Sequence, residues 1–188
     1  MPRFLKVFLA GLVVSFLGSL PLGTTNVAAM QLSIERGMLP AMYFSIGSLS
    51  VELIYVRLSL FAVEWLRKRA VFMRYMNLIT LLILTLLTIE SFHAALYPSA
   101  TSSIAISQVL PPLFFGMFLC SISTAQIPFW LGWSTILMEK KILYPNGGTY
   151  WEYLIGIGLG TFLANAIFIY VGQLAGDRKS TRLNSSHA

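Results

Sequence analysis

Charge is what this 188-residue sequence has least of: 11% of its residues are Asp, Glu, Lys or Arg, where a soluble domain carries about 25%. Cysteine occurs once, at Cys120, so no internal disulfide can form. With two histidines besides, a soft metal site has few ligands to draw on. Period-two alternation of apolar and polar residues is absent, which removes a transmembrane barrel. What is present is 56% hydrophobic with a mean hydropathy of +0.75, in runs long enough to cross a bilayer. A soluble enzyme, a nucleic-acid-binding domain and a disordered chain are thereby excluded. The composition is that of an all-α integral membrane protein.

Five spans are expected, near residues 7–33, 40–65, 75–96, 109–137 and 150–173. The net charge of +6 follows their loops. With the N-terminus in the cytoplasm, the inner loops collect Arg3, Lys6, Arg67, Lys68, Arg69, Arg74, Lys140 and Lys141, and the outer loops keep Arg36. That asymmetry sets a cytoplasmic N-terminus in a multi-pass plasma-membrane protein. Trp65, Tyr97, Tyr144, Tyr150 and Trp151 fall near span ends, where interfacial aromatics belong. The basic start precedes an apolar run too long for a signal peptide, so it reads as the first retained span.

At the other end, hydropathy collapses after Gly176. Asp177 to His187 looks like one reading frame of a common sequencing adapter, so residues 1–176 are expected to form the transmembrane domain and 177–188 a non-native tail. Without that tail the chain carries 10 basic and 6 acidic residues. The expectation that follows is of a C-terminally truncated chain.

Polar atoms in hydrocarbon are costly, so they mark candidate function. In the first span, Ser19-Leu20-Pro21-Leu22-Gly23-Thr24-Thr25-Asn26 joins a proline, a glycine and three polar residues. Pro21 and Gly23 should break the helix, and Thr24, Thr25 and Asn26 can start a second half-helix. Free N–H groups at such a terminus, near the bilayer centre, suit a carboxylate. A packing kink with the hydroxyls bonded back to the helix is the alternative.

The fourth span repeats the chemistry with Ser121, Ser123, Thr124, Gln126 and Pro128. In one continuous helix, Ser123, Gln126 and Trp130 share a face. Broken first and fourth spans are the pattern of an inverted three-plus-three repeat with a midplane site. Helix–helix hydrogen bonding would account for any single residue of this group equally well.

Glu52 lies near the centre of the second span, with Ser48, Tyr55 and Ser59 on neighbouring turns. It is a candidate proton carrier or partner for a ligand ammonium; pairing with Arg57 is the structural alternative. Glu90 and His93 sit near an interface. Gly156 and Gly160 have GxxxG spacing, which predicts close helix packing rather than a nucleotide loop. Asn165 stands one turn beyond Thr161 in the same span. Cys120 reads as a small buried apolar residue.

The run from Gly11 to Arg57 resembles the first two helices of the LysE/RhtB-type amino-acid exporters. Their serine-and-proline motif is matched by Ser19, Pro21, Gly23, Asn26 and Gln31. The basic turn is Arg36-Gly37, and the acidic second helix is Gly47, Glu52 and Tyr55. Thr24 stands near the second proline of the family motif, Glu52 replaces an aspartate, and Ser123-Thr124 occupies the place of an Asn-Pro pair.

The resemblance implies a six-helix inverted-repeat fold, five helices of which are present here. It implies a secondary transporter exporting amino acids or similar small solutes, driven by a proton or ion gradient across the bacterial inner membrane. Thr24, Thr25, Asn26, Gln31, Ser123 and Gln126 would bind solute and Glu52 would couple protons. Pro21, Gly23 and Pro128 would break the helices. No cofactor, metal or nucleic acid is expected; the partners are the bilayer and the solute, with a homo-oligomer left open. An ion or metal exporter, a non-transporting scaffold and an intramembrane enzyme are the competing classes. The last lacks a histidine beside Ser121 or Cys120 to serve as base.

Overall fold

The computed structural model describes residues 2–20, 23–67, 110–123, 126–144 and 147–187, with residues 78, 81, 82, 85, 88, 89 and 92 between them. Side chains of 66, 67, 147 and 177–187 are not described. The expected third span, with Glu90 and His93, therefore lies almost wholly outside the described residues, as do Pro21 and Thr124.

Among the described residues six helices carry the fold: α1 (Arg3–Ser19), α2 (Thr24–Arg36), α3 (Met38–Arg67), α4 (Pro112–Ile122), α5 (Gln126–Glu139) and α6 (Gly147–His187). Two contain stretches long and apolar enough to cross a membrane, Met38–Trp65 in α3 and Gly148–Gly176 in α6. The other four form two bent pairs, α1 with α2 at 72° and α4 with α5 at 70°, each meeting the same test as one broken span. The protein is an all-α membrane protein. Gly37 separates α2 from α3 at φ 90°, a conformation that costs glycine least.

The breaks fall where the backbone chemistry demands. Gly23, extended at φ −81° and ψ 164°, is the N-cap of α2. The second half-helix therefore begins one residue earlier than its polar side chains suggest, with Thr24, Thr25 and Asn26 as its first helical residues. Pro128 is buried in the first turn of α5, where a missing N–H costs least. In a continuous helix it would also clash with the carbonyl four residues back, so the break precedes it.

Two glycine seams hold the halves together. On the first, Phe8 and Leu12 of α1 lie against Gly156 and Gly160 of α6. A Cβ on Gly11 would sit 2.6 Å from the Tyr153 carbonyl oxygen. Gly158, between the two seam glycines, faces open space, so the GxxxG spacing selects the face in contact. On the second seam, Gly47 of α3 meets the Leu113 backbone of α4, and Gly116 of α4 meets the Phe44 backbone of α3. Each broken span thus starts beside an unbroken helix, α1 on α6 and α4 on α3, running parallel in both pairs.

The break also consumes chain. Met30 of α2 packs on Gly172, and Ser33 donates to the Ile169 carbonyl at 2.7 Å. Leu12 to Met30 is eighteen residues passing the twelve from Gly160 to Gly172. The surplus opens the bundle beside α3 and α5. Below the opening, Val7, Val56, Leu60, Trp130, Tyr153 and Ile157 form the main apolar cluster; Ala29, Leu32, Phe44 and Phe115 belong to a second.

Candidate functional site

The opening between the breaks is a cavity of about 230 Å3, and six elements supply its polar lining. From the end of α1 come Ser15 and Ser19, and from the first turn of α2 Thr25 and Asn26, with Gly23 beside them. Ser48 and Glu52 face it from α3. Cys120 and Ser123 come from α4, Gln126, Phe129 and Trp130 from α5, and Thr161 and Asn165 from α6.

Helical spacing explains most of this set. Ser15 and Ser19, Ser48 and Glu52, and Thr161 and Asn165 each recur at i, i+4, so each helix turns one polar stripe inward. Ser48, Glu52, Thr161 and Asn165 are buried, Glu52 at 7% exposure. The lining contains one carboxylate and one thiol, and among the described residues no Lys, Arg or His.

Several hydrogen bonds fix the geometry. The Asn26 side-chain amide donates across the first break to the Ser19 carbonyl, tying the end of α1 to the start of α2. Gln126 Nε2 donates to Cys120 Sγ at 3.3 Å across the second. The Gln126 carbonyl oxygen is buried without a partner among the described residues. Ser15 Oγ donates to the Ile157 carbonyl at 3.0 Å and meets Thr161 Oγ1.

The structure gathers some sequence-predicted residues and separates others. Thr25, Asn26, Ser123, Gln126, Glu52 and Gly23 line the cavity. Thr24 and Gln31 are exposed and do not; Gln31 lies nearly two turns along α2, carried past the opening. Ser123, Gln126 and Trp130 do not share one continuous helix face, because Ser123 caps α4 and Gln126 begins α5. All three still reach the cavity, from opposite sides of the break.

Arg57 does not pair with Glu52. Its guanidinium stands over the Tyr150 ring, 5.5 Å from the centroid, on an exposed face of α3. Cys120, expected to be mere packing, is buried yet forms part of the wall. Ser15 carried no signal in the sequence, since a lone serine in an apolar run resembles any helix-packing hydroxyl. Thr161 and Asn165 signalled only by their one-turn spacing. Among the described residues no three His, Cys, Asp or Glu side chains come close enough to hold a metal ion.

Asn26→Ala should leave the Ser19 carbonyl unpaired at the break. It is expected to destabilise the protein by about 1–3 kcal/mol, the cost of a buried unsatisfied group. Thermal unfolding in detergent micelles measures it; an unchanged midpoint would mean that the contact does not hold the break.

Comparison with protein families finds that the model of the LysE type translocator family matches residues 16–188. Comparison with curated proteins finds no match, and neither does comparison with solved structures.

Proposed function

The chain belongs to the LysE type translocator family, a family of membrane transporters, and from that premise we propose that it exports amino acids or similar small zwitterions in exchange for protons. The observation that carries this reading is the cavity, which one carboxylate and a half-helix N-terminus line together with no Lys, Arg or His among the described residues. The solute carboxylate meets the N–H groups and positive dipole end at Thr25 and Asn26. The ammonium faces Glu52, and the Gln126 carbonyl oxygen and Ser123 complete the far wall. Gly23 and Pro128 keep the two breaks open. Thr24 and Gln31, predicted as solute ligands, have no part in this arrangement.

Coupling follows from competition. A proton and an ammonium cannot both occupy Glu52, so a carboxylate that alternates between them exchanges one for the other. The cavity is smaller than the roughly 300–1,000 Å3 of pockets for drug-sized ligands, which favours a small solute. The excess of Lys and Arg in alternate loops supports a cytoplasmic N-terminus, in the bacterial inner membrane where an exporter of this kind would act.

The test is a solute panel on the full chain in proteoliposomes under an imposed pH gradient, with metal salts as a second arm. Gradient-dependent movement of one or more amino acids is expected, dissipating the gradient as it proceeds. Movement of metal ions alone would favour an ion exporter, and movement of nothing would favour a scaffold.

A further inference from the structure

The polar part of the cavity can hold what every amino acid has in common, a carboxylate and an ammonium. What differs from one solute to the next meets the apolar part of the wall. Among the described residues that part is small: Phe129 and Trp130 are the only apolar lining side chains larger than cysteine.

The two rings are held differently. Trp130 is 1% exposed and belongs to the main apolar cluster, so it is a fixed wall. Phe129 is half-buried and meets Trp130 edge to face, with ring centroids 5.0 Å apart and planes at 83°. The far end of the Phe129 ring reaches from the first turn of α5 to Gly18 in the last turn of α1. A Cβ on Gly18 would stand 2.5 Å from the ring's Cζ, so the ring occupies the space that any side chain there would fill. Gly18 is exposed and lines the cavity with Phe129. The ring thus closes a gap between the two broken spans by van der Waals contact, with no polar tie. Gln126, three residues before Phe129 on the same side of α5, donates to Cys120 Sγ. The thiol therefore belongs to the same part of the wall as the ring.

We propose that Phe129, seated on Gly18, is a specificity-determining residue that sets the size of what the cavity admits, and so favours solutes with small side chains over branched and aromatic ones. The proposal rests on the reading of the cavity as the solute site. A larger side chain must displace the ring from Gly18 or overlap it. In a close-fitting apolar pocket one methylene is worth about 10- to 200-fold in preference.

Cys120 is the one cysteine of the chain and is fully buried, so a thiol reagent reaches it through the cavity. The test is its rate of modification in the detergent-solubilised full chain by methyl and benzyl methanethiosulfonate, each relative to its rate with free cysteine. Each reagent forms a mixed disulfide with the thiol and releases methanesulfinate, and mass spectrometry counts the product. The benzyl-to-methyl ratio cancels the reactivity of the thiol itself. The unsubstituted chain should disfavour the benzyl reagent by about tenfold or more. Phe129→Ala should bring the ratio close to one, and Phe129→Leu, which keeps more of the packing, should lie between. Gly18→Ala should change the ratio while Phe129 is present and leave it unchanged in Phe129→Ala, where no ring remains to be displaced. In proteoliposomes, Phe129→Ala and Phe129→Leu should raise export of leucine and phenylalanine relative to alanine.

Equal reactivity of the two reagents in the unsubstituted chain overturns the proposal. So does equal acceleration of both by Phe129→Ala, the result expected of a ring that only stabilises the fold. Export with an unchanged leucine-to-alanine ratio in Phe129→Ala overturns it as well. No export of any amino acid by any variant, with the thiol ratios as expected, is instead the failure of the solute reading. The thiol measurement involves no transport, so the two failures are distinguishable.

Discussion

Glu52→Gln in the full chain is expected to abolish export driven by a pH gradient while leaving the protein folded. Glutamine keeps the shape and volume of the side chain, so the packing around the cavity survives. It cannot release or take up a proton, nor present a charge to an ammonium. Gradient-driven export should fall to the level of empty vesicles. Solute exchange without a gradient should weaken by about 10- to 150-fold, the worth of one charge-assisted hydrogen bond of roughly 1.5–3 kcal/mol. The two assays separate the roles. Loss of gradient response with unaltered exchange would leave Glu52 a proton carrier that never meets the solute. Undiminished gradient-driven export would remove it from coupling altogether.

The residues that made Glu52 a candidate were legible in the sequence because burial makes them expensive. A carboxylate in the middle of an apolar run needs a reason, and Pro, Gly and Asn at one point of another run announce a break. The second bent pair was visible for the same reason, and the GxxxG spacing correctly chose Gly156 and Gly160 over Gly158.

Pairing between distant helices was not legible. Ser15 and Thr161 are 146 positions apart, and neither looks unusual alone. Gln31 failed in the opposite direction. Its chemistry fits a solute site, but the direction in which α2 leaves the break cannot be inferred from spacing. Ser123, Gln126 and Trp130 show a periodicity argument reaching the right residues through the wrong geometry. They meet because the helix is interrupted, whereas the argument assumed that it was continuous.

The second large effect should come from the seam between α3 and α4. Gly47 and Gly116 each place backbone directly on backbone. A Cβ on Gly116 would lie 2.9 Å from the Phe44 carbonyl carbon and 3.0 Å from the Ser48 amide nitrogen. Neither atom can yield as the end of a flexible side chain would, so the helices must separate. Gly116→Ala should cost about 1–3 kcal/mol in strain, less the ~1 kcal/mol of helix propensity that alanine returns. Gly116→Leu exceeds any local adjustment and should leave little folded protein.

Gly158→Ala is the matched control. It lies in an equally apolar helix but faces open space, so it should be neutral or stabilising by up to ~1 kcal/mol. Unfolding in a denaturing-detergent titration measures all three. Ser48 lies on this seam beside Gly47, with Glu52 one turn beyond it on α3 and Cys120 one turn beyond Gly116 on α4. Spreading the seam should therefore widen the cavity, and any Gly116→Ala protein that folds should transport more weakly than its stability loss accounts for. Equal stability changes at Gly116 and Gly158 would show instead that the close approach of α3 and α4 contributes nothing to the fold.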